Sequence, residues 1–249
     1  MNPITVTRSI VIPVLDFSPH SPYNIRTLLK DLADVPGEVI CVFNSAEVFN
    51  ELRTHERIDR YCFNSQNPGV SRSWNMGLNL AVGKAVFFLN ADLCVRPAAL
   101  DGLEQWLFSL DKAVIVGPEG SHLDYKKLGV IHRFEKGTFS QPVQTNDVSG
   151  FFFAVHLERF LAHHLMFDTR YTPCFFEEWD MGLQVAQAGL ACYAVPVTDF
   201  EHLPGMSRYP GNHAIHCLGR AILRDQALTQ SRKKFVAKWP QFCGGRESR

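Results

Sequence analysis

The chain has 249 residues, of which 46 % are hydrophobic and 20 % are charged, enough for one large domain with a full apolar core. Lys and Arg together number 25, as do Asp and Glu, so no excess of charge points to nucleic acid as a partner. No stretch reaches the ~18 consecutive apolar residues of a membrane span. Pro13 and Asp16 break the apolar run near the N-terminus, so we predict no secretory signal and expect a cytoplasmic protein.

The cysteines give no sign of a disulfide framework or a zinc site. There are seven, an odd number, and no C-x-x-C pair occurs. Cys41 and Cys192 lie inside apolar runs, which is typical of buried thiols. The pattern predicts free cysteines in a reducing compartment.

Strands and helices alternate along the first half of the chain. Apolar runs predict strands at 9–15, 37–43, 58–64, 84–90 and 113–118. Helical spacing of apolar residues predicts helices at 23–35, 47–55, 70–82 and 97–110. Since these strands are apolar almost without interruption, we expect an α/β fold with a mostly parallel, Rossmann-like sheet flanked by helices.

The second half of the chain is less regular. The polar stretch 119–147 is predicted to be a loop or short hairpins, and strands are predicted at 148–156 and 190–196. Helices are predicted at 157–164, at 177–189, and as one long helix with a basic end at 211–238.

The ends of the predicted strands carry none of the common nucleotide-binding or nucleophile motifs. G-x-G-x-x-G, G-x-x-x-x-G-K-[ST] and G-x-S-x-G are all missing. Ligands of such sheets bind beyond the carboxyl ends of the strands. At those positions the sequence offers Asp16, Asn44, Asn90 and Asp92.

Asp92 is the most informative of these residues. It follows the apolar run "VFFL" within "VFFLNAD", and a carboxylate beside a buried strand is costly unless it is paired or binds a metal. Mg²⁺ and Mn²⁺ take carboxylate oxygens together with substrate phosphates. Alternatively, Asp92 caps the helix that starts near Pro97 or closes an Asx-turn.

Five segments in order resemble the family 2 glycosyltransferases, which have the GT-A fold. They are "SIVIPVLD", "EVICVFNS", "NPGVSRSWNMGLNLAVGKAVFFLNAD", "FFEEWDMGLQVAQAG" and "VTDFEHLPGMS", and together they cover nearly the whole chain. The resemblance implies a single domain over 1–249. Residues 1–118 would form the nucleotide-sugar half, 119–210 the acceptor and catalytic half, and 211–249 a C-terminal helix.

The resemblance also implies an activity. The chain would move a hexosyl or deoxyhexosyl group from a nucleoside-diphosphate sugar to a hydroxyl of a saccharide or lipid-linked acceptor. The anomeric configuration would be inverted, Mn²⁺ or Mg²⁺ would be the cofactor, and the process would be the synthesis of cell-surface polysaccharide or glycoconjugate.

On the donor side, Asp92 and His202 correspond to the metal ligands of the family, although a lone histidine is often structural. Ser207 and Arg208 follow closely and would reach the diphosphate. The residues that would line the nucleotide-sugar site are Pro13, Asp16, Asn44, Asn67, Gly69, Arg72, Asn90, Ala91 and Asp92.

On the acceptor side, Glu178 corresponds to the catalytic base, and Glu177 and Asp180 would orient it or bind acceptor hydroxyls. The helix dipole alone also favours acidic residues at a helix start. Trp179 would stack on a sugar or belong to the core, and Gly150 would lie beneath the acceptor sugar. Asp147 is a weaker candidate for the same subsite.

Two departures from the family pattern keep other functions open. Asn90 replaces the first Asp of Asp-x-Asp, and Phe43 stands where many members have an Asp beside the base of the nucleotide. A non-catalytic GT-A protein that binds a sugar or a partner is one alternative, and a sugar-phosphate nucleotidylyltransferase is another. The basic stretch 231–240 is either a solvated helix face or a peripheral membrane contact.

Overall fold

The computed structural model describes residues 7–19, 21–203 and 211–244. Its strands are β1 (Arg8–Val14), β2 (Glu38–Phe43), β3 (Arg60–Phe63), β4 (Ala85–Leu89), β5 (Leu93–Val95), β6 (Ala113–Gly117), β7 (Gly120–Asp124), β8 (Gly129–Phe134), β9 (Val143–Thr145), β10 (Asp147–Val148), β11 (Phe152–His156), β12 (Ala191–Ala194), β13 (Phe200–His202), β14 (Ala214–Cys217) and β15 (Arg220–Leu223). Its helices are α1 (Ile25–Asp31), α2 (Ala46–Leu52), α3 (Val70–Leu80), α4 (Pro97–Ser109), α5 (Leu157–Ala162), α6 (Glu177–Gln187) and α7 (Arg224–Lys238), with a 3₁₀ turn at Thr169–Tyr171.

A large central sheet has the strand order β3-β2-β1-β4-β11-β6-β12-β9. Four of its seven pairings are parallel, namely β2 with β3, β1 with β2, β1 with β4, and β6 with β12. β11 runs antiparallel between β4 and β6, and β9 runs antiparallel at the edge. The predicted α/β fold with a large sheet flanked by helices is confirmed, and the sheet is mixed because the second half of the chain inserts its strands into it.

Helices cover both faces of this sheet, which explains why its central strands are apolar along their whole length. In β1, Ile10 and Ile12 join the core cluster that holds side chains of α1, α2 and α4. Val11, between them, joins the cluster that holds side chains of α3, α5 and α6. Since successive side chains of a strand point to opposite faces, two-sided burial requires an unbroken apolar run.

The polar stretch 119–147 contributes a small sheet with the order β10-β7-β8, in agreement with the predicted hairpins. A further two-stranded pairing joins β5 to β13. These small sheets lie outside the central one and carry residues of the candidate site.

The prediction of one helix over 211–238 is wrong in its first part. Residues 214–223 form the hairpin β14–β15, and α7 begins only at Arg224. The turn has Leu218 at φ 50° and Gly219 at φ 71°. Two successive residues with positive φ are typical of the tight turn that matches strand twist, and they end helical geometry.

Candidate active site

The candidate site begins where β4 leaves the central sheet. The N–H of Asn90 donates to the carbonyl of Phe151 at 2.8 Å, and the N–H of Leu93 donates to the carbonyl of Asn90 at 3.2 Å. This turn exposes part of Asp92 and leads directly into β5. In the pairing of β5 with β13, Leu93 lies opposite His202. Two segments about 110 residues apart in the chain thereby meet just beyond the carboxyl end of β4.

Asp92 and His202, the two predicted metal ligands, lie together. Nε2 of His202 is 3.4 Å from Oδ1 of Asp92, and the two side chains are 12 % and 24 % exposed, respectively. The imidazole stacks on Phe151, with centroids 4.4 Å apart and an angle of 3° between the planes. Within the described part of the chain Nε2 has no hydrogen-bond partner. Asp92 does not cap α4, whose N-cap is Arg96 and has no side-chain cap.

The chemistry of this pair fits a divalent cation. An imidazole nitrogen and a carboxylate oxygen are suitable ligands for Mn²⁺-like ions. Among the described residues no group of three or more His, Cys, Asp or Glu side chains could enclose a metal.

The other predicted donor residues have varied surroundings. Pro13 lies in β1 opposite Val42, and Ala91 packs against the core. Asp16 is exposed and accepts the N–H of Ser18 at 2.7 Å.

Asn44 is buried and both ends of its amide are used inside the protein. Its Nδ2 donates to Ser73 at 3.0 Å, and its Oδ1 accepts from Asn64 at 2.9 Å. These bonds support a structural role for Asn44, which ties the end of β2 to α3.

The segment that enters α3 is also bonded within the protein. Asn67 donates from Nδ2 to the carbonyl of His216 at 2.9 Å and accepts the N–H of Gly69 at 3.0 Å. Gly69 has φ 89°, which only glycine adopts readily. Arg72, predicted to neutralise phosphate, donates to the hydroxyl of Thr172 and to the carbonyl of Pro68.

Glu177 and Glu178 occupy the first turn of α6. Glu177 is 5 % exposed. No described residue is hydrogen-bonded to its Oε2. The backbone of Gly150 lies next to the carboxylate of Glu178 and lowers its pKa. A Cβ at Gly150 would lie 2.6 Å from Oε1 of Glu178 and 2.8 Å from the ring of Trp74, so this glycine borders the predicted base itself.

Burial dominates the electrostatics of these acids. It raises the pKa of Glu177, and the charge of Glu178 raises it further. Burial also raises the pKa of Glu178, against smaller opposite effects of backbone hydrogen bonds and of Arg133. Glu178 borders a cavity of about 10 Å³ that is lined mainly by apolar side chains. These apolar neighbours exclude water from the carboxylate and so favour its protonated form.

Asp147 is a third acid in this cluster. Burial and then the charge of Glu178 raise the pKa of Asp147 to about 7, while hydrogen bonds from Ser121 and the charge of Arg133 act in the opposite direction. Its Oδ1 has no partner in the described part of the molecule. For Glu177 and Asp147, burial and the nearby charge of Glu178 both favour the protonated form.

Arg133 and Ser121 were not predicted from the sequence. In the small sheet, Arg133 lies opposite Ser121, and Ser121 lies opposite Asp147. Directly paired residues share a face of a sheet, so the three side chains form a row toward Glu178. The predicted hairpins of 119–147 were the only sequence signal for this row. The sequence could not show which residues face each other, because that depends on the register between the strands.

Asp180 lies on another side of α6. It is fully buried, and its carboxylate accepts from Tyr171 at 3.0 Å and from Trp239 at 2.7 Å. Nζ of Lys238 lies 2.7 Å from Oδ1 of Asp180. These contacts support a structural role and do not support the predicted role in acceptor binding. Donors from the protein already occupy the oxygens of this carboxylate.

Trp179 packs in the third core cluster. Its ring contacts Phe176 at 5.1 Å and Phe235 at 6.1 Å between centroids. This environment supports the core alternative for Trp179 over sugar stacking. The predicted diphosphate contacts Ser207 and Arg208 lie outside the described residues.

Solved structures share this architecture. The crystal structure of GalNAc-T7 with UDP, GalNAc and Mn²⁺ superposes with a TM-score of 0.69 at 13 % identity, over 96 % of this chain and 49 % of that one. The crystal structure of S. aureus TarS 1–349 in complex with UDP-GlcNAc gives 0.57 at 14 % identity, over 83 % and 62 %. This chain thus spans about half to three fifths of those chains. The fold is the GT-A fold.

A family model described as "Glycosyl transferase family 2" matches residues 9–160. The chain belongs to this family. No curated protein sequence gives a significant match. The match ends before Glu178 and His202, so the roles of these two residues depend on their geometry.

Proposed function

We propose that the protein transfers a sugar from a nucleoside-diphosphate sugar to an acceptor hydroxyl. One observation carries the proposal. Phe151 stacks on His202, while its neighbour Gly150 lies against the carboxylate of Glu178. The candidate metal pair and the candidate base are therefore linked through two consecutive residues. A donor diphosphate and an acceptor hydroxyl held at the two places would lie on opposite sides of the transferred sugar.

Asp92 and His202 would hold the cation, and a divalent ion bound there would act as a Lewis acid on the departing diphosphate. Glu178 would take the proton of the acceptor hydroxyl. A raised pKa makes a carboxylate a stronger base in its ionised form. The N–H of Gly150 and the charge of Arg133 stabilise that ionised form. Attack from the side opposite the diphosphate would invert the anomeric carbon.

The finer points of the proposal follow from the family and from the neighbours. Structures of the neighbours hold UDP or UDP-GlcNAc, which supports a nucleotide sugar as donor. We propose a hexosyl or deoxyhexosyl group, a saccharide or lipid-linked acceptor, and a role in the synthesis of cell-surface polysaccharide or glycoconjugate. The reaction would take place in the cytoplasm.

A peripheral membrane contact through α7 has limited support. Arg232 and Lys233 are exposed, and Val236 between the basic residues is 37 % exposed. Lys234 and Lys238 instead bond to the protein. Over the described ranges, no helix has the length and apolar character needed to cross a bilayer.

A non-catalytic sugar-binding protein remains the second candidate, favoured by Asn90 and by Phe43. Phe43 is fully buried against Phe49 and Tyr61, so it presents no face to a nucleotide base. A chain that binds nucleotide sugar but transfers no sugar to any acceptor would favour this candidate.

The first test is thermal unfolding with UDP, GDP, dTDP and CDP, each with and without Mn²⁺. A ligand of the native state at 100 times its Kd stabilises it by about 2.7 kcal/mol. We expect one nucleotide to raise the Tm only when Mn²⁺ is present. The absence of a shift with every nucleotide would contradict the proposed donor site.

A further inference from the structure

The segment 168–180 presents the two glutamates through an unusual turn. Phe175 has φ 76° and Phe176 has φ 71°, and both are bulky residues in the left-handed region. Such residues persist only where the surrounding structure holds them. Glu177 and Glu178 follow at once, so whatever holds the turn also sets the direction of their carboxylates.

Helix α7 contacts this segment along its whole length. Ser231 donates from Oγ to the carbonyl of Cys174 at 2.9 Å, and Lys234 donates from Nζ to the carbonyl of Arg170 at 2.7 Å. The guanidinium of Arg224 lies 5.4 Å from the ring centroid of Phe175. Phe235, which is fully buried, packs on Phe176 with centroids 5.1 Å apart. Both residues of the strained turn are thus in contact with α7.

The strongest contacts lie at the end of α7. Nζ of Lys238 is 2.7 Å from Asp168 and 2.7 Å from Asp180, at the two ends of the segment. The indole of Trp239 donates to Asp180 at 2.7 Å. Removal of one partner of a buried ion pair leaves an uncompensated charge, which strongly favours rearrangement.

Asp180 and Glu178 are two positions apart on α6. Side chains at this spacing point to different sides of a helix, in contrast to those three or four apart. Asp180 is therefore placed to anchor α6 from one side while Glu178 faces Gly150 on another.

We propose that α7 is a clamp for the catalytic segment and that Lys238 is a positioning residue for Glu178. The inference rests on the proposed function only for its effect on activity. It gives half of the basic stretch 231–240 a role inside the protein, since Lys234 and Lys238 bond to the segment. The contacts of α7 lie beyond residues 9–160, which the family model covers.

The test compares Lys238→Met with Lys233→Met on the full chain. Lys233 is exposed on the same helix and forms no hydrogen bond or ion pair with the described residues, so it is a matched control. We expect Lys238→Met to lower kcat on the order of 100-fold, the cost of a small misplacement of a catalytic group. The KM for the donor should stay within about twofold, because the Asp92–His202 pair does not contact α7. Lys238→Arg should restore most of kcat.

Hydrogen exchange provides a readout that needs no activity. The amides of 175–180 should exchange faster in Lys238→Met than in the wild type or in Lys233→Met. Wild-type kcat and unchanged exchange in Lys238→Met would overturn the inference, as would equal effects of both substitutions. If the wild type transfers no sugar at all, the proposed function fails while the exchange result still decides on the clamp.

If Lys238→Met does not fold, Ser231→Ala takes its place. It removes only the hydroxyl that donates to Cys174, and faster exchange at 175–176 is again the expected result. Unchanged exchange in this variant would overturn the clamp.

Discussion

The two halves of the candidate site are built in contrasting ways. Asp92 and His202 are partly exposed, and the two-stranded pairing of β5 with β13 brings them together. Glu177 and Glu178 sit at a helix start behind a strained turn, in surroundings that raise their pKa values by burial. In the first half, Nε2 of His202 has no hydrogen-bond partner among the described residues. The second half is held in place by the protein before any ligand arrives.

This difference separates what each half should respond to. Changes at the metal pair should alter the binding of nucleotide and cation. Changes around the glutamates should alter turnover and its pH dependence while donor binding stays intact. The substitutions below test that separation.

The largest effect is expected for Glu178→Gln. The substitution keeps the size of the side chain and removes the proton acceptor, so kcat should fall about 10²- to 10⁴-fold. The Mn²⁺-dependent shift with nucleotide should not change, since the metal pair is untouched. Steady-state kinetics and thermal shift on the same preparation check both parts. Unaltered transfer by this variant would show that the base is another residue.

Asp92→Asn should have the opposite signature. Loss of the carboxylate charge weakens the cation site, so the nucleotide shift that depends on Mn²⁺ should shrink by up to about 2.7 kcal/mol at saturating ligand. Asp34→Asn is the matched control, because Asp34 is exposed on the turn that follows α1. A full Mn²⁺-dependent shift in Asp92→Asn would exclude this carboxylate as a ligand.

Gly150→Ala tests the link between the two halves. The new Cβ would meet Oε1 of Glu178 at 2.6 Å and Trp74 at 2.8 Å, so one of these groups must move. We expect a loss of about 1–3 kcal/mol of stability from overpacking and a fall in kcat with little change in nucleotide binding. Gly129→Ala is the control, because a Cβ at Gly129 meets no atom within 4 Å. Equal kinetics in both variants would place Glu178 away from the reaction.

The sequence predicted these halves unequally well. The two-sided apolar strands revealed the central sheet, because burial on both faces leaves an unbroken pattern in the chain itself. Asp92 and His202 were paired only through resemblance to a family, and the structure then placed them 3.4 Å apart. The short strands β5 and β13, which make this contact, were not predicted, since three residues carry too weak a pattern.

Features that depend on partners distant in sequence are the hardest to predict from local patterns. The sequence groups Asp180 with the catalytic acids because it lies at the same helix start, whereas its carboxylate is bonded to Lys238 and Trp239, which lie 58 and 59 residues away. The sequence predicts helix over the hairpin 214–223 because each of its strands has only four residues, too few to distinguish strand alternation from helical spacing. The position of Arg133 near Glu178 depends on the register of the small sheet, which the sequence alone does not show.

Asp147→Asn sharpens the comparison through pH. Because the folded-state pKa of Asp147 is raised to about 7, the folded chain holds this proton at pH values where the unfolded chain has released it. Stability should therefore fall as pH rises from about 4, the ordinary pKa of an aspartate, toward 7. Asparagine mimics the protonated form and carries no such penalty.

The stability of Asp147→Asn relative to wild type should thus increase between pH 4 and pH 8, on the order of 4 kcal/mol. Chemical unfolding at several pH values measures it. Asp111→Asn, an exposed aspartate, should show no such trend. A gain that is independent of pH would mean that Asp147 is ionised in the folded state throughout this range.

The smallest effect is expected for Arg133→Gln. The guanidinium lowers the pKa of both Asp147 and Glu178, although it is exposed and partly screened by solvent. Its removal should raise both pKa values, so the acidic limb of the kcat/KM profile should move to higher pH, by less than about one unit. Lys127→Gln removes an equal charge from the same hairpin and should leave the limb in place, since Lys127 is 86 % exposed and pairs only loosely with Asp124. A shift common to both variants would indicate a general charge effect. If the acidic limb moves only in Arg133→Gln, the titrating group lies near Arg133, Ser121 and Asp147. Glu178 is the proposed base at this place.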